Sequence, residues 1–455
     1  MKKVVSFIAT IAFAGSLTAF NSVPLISSAI RAITFVEDGT YELGGDSSLE
    51  YKVTSHGEVY ITGCQGTSSE VEIPSEINGK KVNTIASSAF RDHTELTSVT
   101  IPDSVTDIVG GAFRGCSGLT SVTIPDSIPY INDSTFKDCT HLKSVTLPEN
   151  IRYIGFNAFE NCTELDTINF PENIENVLRD AFKNTKWYDD QPDGLVIAAH
   201  VLYNYKGTMP ENTSIEIPEG VRAIGFNAFE DCTNMTSVTI PEGVTDIGSY
   251  AFKGCTGLIS LTIPGDVKMI GAAAFTDCTG LTSLTLNEGV ENIQNAAFDG
   301  CTALNSLNLP KSLKIICSYS FSNCKSLTEV SIPEGVEYIM NNAFTGSSNL
   351  AKVTIPKIKE ATEGIDTIEY DVFLNCSPNM TIYGYKGTLA ERYANDNGIR
   401  FSALDPDTTQ KTVTTTTAAT SNTNSPKTGD SDIVGLEAIG IAAAAVLIFS
   451  RKRKT

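Results

Sequence analysis

The chain has 455 residues, of which 41% are hydrophobic, and a formal net charge of −20. This composition is that of a globular protein, so it excludes collagen-like, disordered and disulfide-scaffold classes, and the negative charge argues against a nucleic-acid-binding protein. Four histidines without metal-ligand spacing, and no phosphate-binding glycine loop, predict that the protein is not an enzyme and holds no cofactor or metal.

The N-terminus has the layout of a secretory signal peptide. Two lysines precede an apolar stretch from Val4 to Phe20, and a run of small residues ends at Ala29. We expect cleavage after Ala29, with Ala19 and Ala32 as competing positions. The alternative is a buried N-terminal helix.

A phenylalanine recurs every 23 residues along most of the chain. The spacing widens to 47 after Phe182 and to 29 after Phe344. The twelve anchors are Phe90, Phe113, Phe136, Phe159, Phe182, Phe229, Phe252, Phe275, Phe298, Phe321, Phe344 and Phe373. A fixed period of this length indicates a repeat architecture.

Each repeat contains one short strand. In the unit from Leu119 to Phe136, Val122 and Ile124 point to one face, Thr123 points to the other, and Pro125 ends the strand. One unit cannot bury its own apolar face, but stacked neighbours can. The sequence therefore predicts a solenoid with parallel β-strands stacked on one face, short helical or irregular turns on the other, and about 23 residues per rung.

The pattern Leu119-x-x-Val122-x-Ile124-Pro125, followed by Ala-Phe and Cys, resembles the BspA-like leucine-rich repeats, and the resemblance runs from about Tyr51 to Phe401. It implies a leucine-rich-repeat solenoid that is secreted or anchored at the surface, in a family where some members are adhesins for host matrix proteins or other cells.

The two ends of the repeat region resemble the caps of that family. Val59 to Gly63 is similar to its N-terminal cap, and Thr381 to Phe401 is similar to its C-terminal cap. In the latter we expect a short helix that begins at Thr388 and stops at Gly398, with Ile399 and Phe401 covering the last rung.

The predicted segments follow from these patterns. They are a signal peptide (1–29), N-terminal cap strands (30–70), the solenoid (71–379) with an irregular insertion (183–214), a C-terminal cap (380–404), a Thr-rich stalk (405–424) and a sorting signal (425–455) with an apolar stretch (433–450). The stalk has too little apolar area to offset chain entropy, so we expect it to be extended.

Nine of the eleven cysteines lie three residues after a phenylalanine anchor: Cys116, Cys139, Cys162, Cys232, Cys255, Cys278, Cys301, Cys324 and Cys376. Equivalent positions stack with parallel Cβ vectors, which suit a reduced, buried ladder better than disulfides. Occasional bridges and metal binding are the alternatives. Cys64 and Cys317 lie off the ladder and are the candidates for a disulfide or a reactive thiol.

Outward strand positions form two polar files. One contains Ser98, Ser121, Ser144, Thr167, Ser237, Ser260, Ser283 and Ser306, and the other contains Thr100, Thr123, Thr146, Asn169, Thr239, Thr262, Thr285 and Asn308. Solenoids commonly bind ligands on such a face. The alternative is that small hydroxyls suit strands and bridge rungs without any ligand.

A ridge of carboxylates follows the strand prolines. It comprises Asp103, Asp126, Glu149, Glu172, Glu219, Glu242, Glu288 and Glu334. A solvated ridge is favoured over a cation-binding rail, because nothing brings several carboxylates to one point.

The insertion contains the aromatic residues Trp187, Tyr188, Tyr203 and Tyr205. Aromatics in an insertion on a regular scaffold often form a binding site, so these four are candidate ligand-binding residues. Equally, they could pack the odd rung against its neighbours.

The C-terminus reads Pro426, a free position, Thr428 and Gly429, then the apolar stretch and four basic residues. This order resembles a Gram-positive cell-wall sorting signal. The resemblance implies that a sortase cleaves after Thr428 and joins it to peptidoglycan, with membrane contact only before processing. Ser425 stands where the commonest version has leucine, so the sortase class is open, and a plain membrane tether is the alternative.

We therefore expect a non-enzymatic surface protein, anchored in the wall of a Gram-positive-type cell, that binds an extracellular protein or glycan of a host or neighbouring cell. The alternatives are a carbohydrate-binding module that uses the aromatic insertion, and a passive spacer.

Overall fold

The computed structural model describes residues 33–358 and 367–404. The predicted signal peptide, the Thr-rich stalk and the sorting signal with Pro426, Thr428 and Gly429 lie outside the described residues. Across the two described ranges, no helix has the length and apolar character needed to cross a membrane.

The elements are short and almost all are strands. In chain order they are β1 (Phe35–Gly44), β2 (Ser47–Thr54), β3 (Val59–Gln65), β4 (Glu70–Glu72), β5 (Glu76–Ile77), β6 (Lys80–Ile85), β7 (Ser98–Thr100), β8 (Asp107–Ile108), β9 (Ser121–Thr123), β10 (Tyr130–Ile131), β11 (Ser144–Thr146), β12 (Tyr153–Ile154), β13 (Thr167–Asn169), β14 (Asn176–Val177), α1 (Lys186–Asp189), β15 (Gly194–Ala198), β16 (Val201–Lys206), β17 (Thr213–Glu216), β18 (Ala223–Ile224), β19 (Met235–Thr239), β20 (Asp246–Ile247), β21 (Ser260–Ile263), β22 (Met269–Ile270), β23 (Ser283–Leu286), β24 (Asn292–Ile293), β25 (Ser306–Asn308), β26 (Ile315–Ile316), β27 (Glu329–Ser331), β28 (Tyr338–Ile339), β29 (Lys352–Thr354), β30 (Thr381–Gly384), α2 (Leu389–Asp396) and β31 (Arg400–Ala403).

A regular rung contributes a long strand, a short strand and a turn that carries the Ala-Phe pair. Long strands pair in parallel one repeat apart, as in Val122 with Val145, and short strands do the same, as in Ile131 with Ile154. Along β9 the residues alternate between exposed and buried, with Val122 inside. The predicted fold class, a solenoid of parallel strands about 23 residues apart, is confirmed.

The core is a file of stacked phenylalanine rings. Consecutive anchors lie 4.9–5.5 Å apart between ring centroids, and their planes differ by at most 19° within each run. Eleven of the twelve rings are at most 1% exposed, and Phe373 at the C-terminal end is 5% exposed. The stack is interrupted only between Phe182 and Phe229. Here the insertion (183–214) forms a rung without a phenylalanine anchor, which we call the irregular rung.

Both ends of the stack are covered. At the N-terminus β1, β2 and β3 form antiparallel pairs, and β3 then pairs in parallel with β6. At the C-terminus α2 lies between Thr388 and Gly398, whose φ of 66° allows the left-handed turn that ends the helix. Phe401 is half-buried, and its strand β31 adds in parallel to β30.

Candidate functional site

The outer sides of the long strands form one surface of small polar side chains, which we call the sheet face. Its outward pairs are Glu70 and Glu72, Ser98 and Thr100, Ser121 and Thr123, Ser144 and Thr146, Thr167 and Asn169, Ser214 and Glu216, Ser237 and Thr239, Ser260 and Thr262, Ser283 and Thr285, Ser306 and Asn308, Glu329 and Ser331, Lys352 and Thr354, Thr381 and Tyr383, and Arg400 and Ser402. The face is interrupted after β13, because Lys186–Asp189 is helical where a long strand would follow Phe182.

Charged side chains lie near both ends of the sheet face, and Glu216 on β17 adds one beside the interruption. Glu70 and Glu72 stand on the first long strand, Arg400 stands on the last, and Lys352 pairs with Glu329 at 3.0 Å. The pair Glu70 and Glu72 was not predicted from the sequence. Its signal is the segment Glu70-Val-Glu-Ile-Pro74, which repeats the form of Ser98-Val-Thr-Ile-Pro102.

A cleft of about 540 Å³ lies where the N-terminal hairpin meets the sheet face. Tyr41 and Glu42 of β1 form one wall, and Glu70, Glu72 and Thr100 form the other. Three carboxylates beside one aromatic ring give this end of the sheet face an acidic character.

The cysteine ladder is a ladder of hydrogen bonds. In eight rungs the thiol donates to the carbonyl oxygen of the phenylalanine in the preceding rung. These bonds join Cys116 to Phe90, Cys139 to Phe113, Cys162 to Phe136, Cys255 to Phe229, Cys278 to Phe252, Cys301 to Phe275, Cys324 to Phe298 and Cys376 to Phe344, at 2.9–3.5 Å.

Cys232 follows the irregular rung, and within the described ranges its thiol has no such bond. All eleven cysteines are unbridged. Burial raises the pKa of the Cys278, Cys317 and Cys376 thiols to about 12, and that of Cys64 to about 11. These groups are therefore protonated at neutral pH and are poor nucleophiles or metal ligands.

The aromatic residues of the insertion contact the core. The Trp187 ring lies edge-on to Phe170 and Phe182, with centroids 5.1 and 5.0 Å away. Tyr203 is 3% exposed, and its hydroxyl accepts a hydrogen bond from the Phe182 amide at 3.1 Å. Tyr205 tilts against Phe229 at 6.5 Å.

Tyr188 completes this packing. Its ring lies edge-on to Tyr203 at 5.9 Å, and its hydroxyl accepts from Asn204 at 2.9 Å. Lys206 lies over the Tyr188 ring at 5.3 Å and donates to the carbonyl oxygens of three residues in and after α1. All four aromatic residues make packing contacts, and Tyr203 is buried, whereas Trp187, Tyr188 and Tyr205 remain partly exposed.

The carboxylates of the acidic ridge are exposed and lie one per rung. In the described part of the chain, no group of three or more His, Cys, Asp or Glu side chains is arranged to hold a metal ion. Glu288 instead bonds the next rung, since it accepts from the backbone amides of Lys311 and Ser312 at 3.0 and 3.1 Å. These bonds lower the pKa of its carboxyl.

The family described as BspA type leucine rich repeat region matches residues 63–188, 203–301 and 268–391, which together exceed half of the chain. A comparison with curated proteins finds no match.

Three solved structures illustrate the structural similarity. A leucine-rich repeat protein from Bacteroides ovatus is 25% identical, with 76% of this chain and 100% of that chain covered and a TM-score of 0.38. The pneumococcal vaccine antigen PcpA is 18% identical, with coverages of 81% and 99% and a TM-score of 0.35. A leucine rich cell surface protein from Faecalibacterium prausnitzii is 23% identical, with coverages of 79% and 98% and a TM-score of 0.31. With TM-scores below 0.5, these similarities carry no functional argument.

Proposed function

Because this chain belongs to the BspA-type leucine-rich repeat family, we propose that it is a non-enzymatic binding protein of the cell surface, which uses its solenoid to contact extracellular macromolecules of a host or neighbouring cell. The ligand is a protein or a glycan. Binding of this kind requires no chemical step of the protein, and the raised pKa values of the buried thiols agree with that role.

The observation that carries the proposal is the sheet face. It presents outward polar side chains, mostly hydroxyls and carboxamides, over fourteen strands with one interruption after β13, and charged side chains lie near both of its ends. A surface of this length, held by stacked rungs, is preorganised, so binding to it orders little of the protein.

Location and anchoring extend the proposal. The order of Pro426, Thr428 and Gly429 before an apolar stretch and a basic tail supports export and covalent attachment to peptidoglycan through Thr428. A sortase is the partner that this step requires.

The test is binding of the purified exported chain to a protein array and a glycan array. The pair Thr123→Lys and Thr262→Lys places two bulky cations on the sheet face, and the matched pair Thr233→Lys and Thr256→Lys places them on exposed turns. We expect the first pair to weaken binding at least tenfold and the control pair to leave it within twofold. Absence of any ligand on either array would favour a passive spacer.

A further inference from the structure

A further feature lies outside the sheet face, at the corner of each rung two residues before the phenylalanine anchor. The backbone at this corner position is left-handed, with φ between 53° and 71°. Glycine and short polar residues tolerate this conformation best. Such residues occupy the corner position in seven rungs, namely Ser88, Gly111, Ser134, Asn157, Asp180, Asn227 and Asn342.

Four consecutive rungs depart from this pattern. At the corner position they have tyrosine, alanine, alanine and tyrosine, which we call the tyrosine row: Tyr250, Ala273, Ala296 and Tyr319. A bulky tyrosine in the left-handed region is strained, and an alanine has no side-chain hydrogen bond to favour it there. Strain that the surrounding structure maintains is concentrated at functional sites. The tyrosine row therefore points to a role for its side chains rather than for its turns.

The two tyrosines form the raised ends of the row. Tyr250 is 38% exposed and Tyr319 is 46% exposed, and neither hydroxyl has a hydrogen-bond partner in the parts of the chain that the structure describes. Between them the side chains of Ala273 and Ala296 end at a methyl group and leave a low floor. Three rungs separate the two tyrosines, which is about 14 Å at the usual spacing of strands. The row is therefore a shallow trough with an aromatic side chain at each end.

The backbone of the row is held in register by the ladder. In its first three rungs the corner amide donates to a carbonyl oxygen of the next rung at 2.8–3.0 Å, from Tyr250 to Ala272, from Ala273 to Asn295 and from Ala296 to Ser318. The spacing along the row is therefore fixed at one residue per rung. A ligand that matches this spacing meets a preorganised surface.

Polar groups beside the row are available to a ligand. Asn295 lies next to Ala296 and is exposed, and its carboxamide has no hydrogen-bond partner within the two described ranges. Together with the hydroxyls of Tyr250 and Tyr319, this gives three unpaired groups that can each donate and accept a hydrogen bond.

The charged side chains that stand beside the row already have partners. Lys253 lies over the Tyr250 ring at 5.7 Å and reaches back to Glu230 of the preceding rung at 3.1 Å, so it approaches the ring from the side away from Ala273. The carboxylate of Asp299 accepts from the side chains of two residues in the next rung. Because the whole chain also has a net charge of −20, it repels anionic polymers, and a neutral ligand is favoured.

The dimensions of the row suit a sugar chain better than a protein. A stable protein interface buries about 800 Å² per partner around an apolar centre, whereas the apolar part of the row is one residue wide between Asn295 and Thr276. A sugar ring with equatorial substituents has C–H groups on its faces, which pack on an aromatic ring, and hydroxyls around its edge, which bond polar side chains. A sugar residue in an extended chain is about as long as one rung is high, so successive sugars can follow successive rungs.

We propose that the tyrosine row binds a neutral, extended glycan whose rings carry equatorial linkages, as in cellulose or chitin. One sugar ring packs on Tyr250, another packs on Tyr319, and the rings between them lie over Ala273 and Ala296. This inference rests on the proposed binding role, and it adds a ligand class and a second site, at the corners of the rungs and distinct from the sheet face.

The test is titration of the purified exported chain with cellohexaose and with chitohexaose, followed by saturation-transfer NMR. Maltohexaose contains the same number of glucose rings as cellohexaose in a coiled chain, so it is the control for chain shape. We expect both extended hexasaccharides to bind, with the ring C–H protons in contact with the protein, and maltohexaose to bind at least tenfold more weakly.

The variant pair Tyr250→Asn and Tyr319→Asn removes both rings and extends through the row the residue that Asn227 and Asn342 have on either side. We expect it to bind the extended hexasaccharides at least tenfold more weakly. Its thermal unfolding midpoint should equal or exceed that of the wild type, because asparagine tolerates the left-handed region better than tyrosine does. Loss of binding is thereby separated from loss of folding.

Two control variants should bind within twofold of the wild type. Tyr130→Asn removes a tyrosine of similar exposure, 40%, from β10, and the equivalent position of β14 is already an asparagine, Asn176. The pair Thr123→Lys and Thr262→Lys alters the sheet face and leaves the tyrosine row intact.

Equal binding by the Tyr250→Asn and Tyr319→Asn pair, or equal affinity for maltohexaose, would overturn the proposed site. A lower unfolding midpoint of that pair would do the same, since the tyrosines would then serve the fold. A protein ligand from the arrays that loses affinity for the pair, without any bound hexasaccharide, would replace the glycan with a protein. If no hexasaccharide binds but the sheet-face pair weakens a ligand from the arrays, the tyrosine row is overturned and the proposed function stands. Silence from hexasaccharides and arrays alike would overturn both.

Discussion

The Oγ of Ser347 donates to the carbonyl oxygen of Phe321 at 3.1 Å, in the place where other rungs have a cysteine thiol bonded to the preceding phenylalanine. The hydroxyl differs from the thiols in one respect, because Ser347 Oγ also accepts the Cys324 amide at 3.1 Å, whereas the Cys278 amide donates to the carbonyl oxygen of Phe275. Both side chains nonetheless supply one small donor to the phenylalanine carbonyl of the preceding rung, so this bond does not require sulfur.

This relationship predicts opposite outcomes for two substitutions of Cys301. Cys301→Ser should retain the bond to Phe275 and shift stability little, whereas Cys301→Val should lose it and cost about 1 kcal/mol, the usual net value of a hydrogen bond. Denaturant midpoints are the measurement. Cys64→Val serves as control, since that thiol is only half-buried. A valine variant as stable as the serine variant would show that the bond contributes nothing.

The buried thiols also predict a pH dependence. Burial raises the pKa of Cys278 and Cys376 from 9.0 to about 12, so the folded protein holds protons that the unfolded chain releases above pH 9. Their contribution to stability is therefore complete below pH 9 and falls as the pH rises towards 12. Denaturant midpoints at pH 7, 8, 9.5 and 10.5 should decline over the last two points, and less steeply in Cys278→Ser. A flat profile would contradict this.

The irregular rung predicts a structural role for one hydroxyl. Tyr203→Phe removes the acceptor of the Phe182 amide and should cost about 1–3 kcal/mol, because a buried donor is left unpaired. Phe275→Ala, which empties a stacked site, should cost about 3–5 kcal/mol. Trp187→Ala should cost less than Phe275→Ala, since Trp187 is only half-buried. Thermal unfolding measures all three, and a neutral Tyr203→Phe would refute the role of its hydroxyl.

Turn geometry predicts one stabilising change. Ala296 has a φ of 57°, in the left-handed region, where the equivalent residues Asn157, Asn227 and Asn342 are asparagines. Ala296→Asn should therefore raise stability by about 0.5 kcal/mol. The opposite case is Gly254, whose φ is 73° and where an added Cβ would lie 2.3 Å from Asp231 Oδ1. Gly254→Ala should lower the unfolding midpoint, and a rise would show that the corner tolerates a side chain.

Anchoring through Thr428 predicts a difference in extraction. Wild-type protein should stay with the cell wall after detergent treatment and be released by peptidoglycan hydrolysis, whereas Thr428→Ala should be released by detergent. Fractionation of cells followed by immunoblotting separates the two. Equal release of both by detergent would replace the wall anchor with a membrane tether.

The regular part of the fold could be predicted because its signal is repeated. Every regular rung places an aliphatic pair and a phenylalanine at the same spacing, so the roles assigned to Val122 and Phe136 apply to each of these rungs. The cysteine positions were correctly expected to form a ladder of small buried groups. The hydrogen bond from Cys301 to Phe275 was not predicted, because every residue has a backbone carbonyl and the sequence does not indicate which one a thiol will contact.

The contacts of the insertion could not be predicted from the sequence. The residues Trp187, Tyr188, Tyr203 and Tyr205 were equally compatible with binding and with packing, and their ring contacts could not be predicted from the sequence. The short corner of the irregular rung, with three residue steps from Leu202 to Tyr205 where a regular rung has five, was not predicted. Its signal is the interval from Leu202 to Tyr205, which has meaning only once the pairing of Leu202 with Ile224 is known.

The in-register pairing of regular rungs has a consequence for how such a molecule can change over generations. Each rung meets only the one before and the one after, through the same bonds, so duplication or loss of one 23-residue unit inside a regular run leaves both caps and every remaining junction as they were. The length of the solenoid can thus change by one rung, about 4.8 Å, at a time. The junctions around the irregular rung do not share this freedom, because Tyr203 and Tyr205 each fit one particular neighbour. A lineage that gains or sheds rungs should do so on either side of residues 183–214 and keep that segment single.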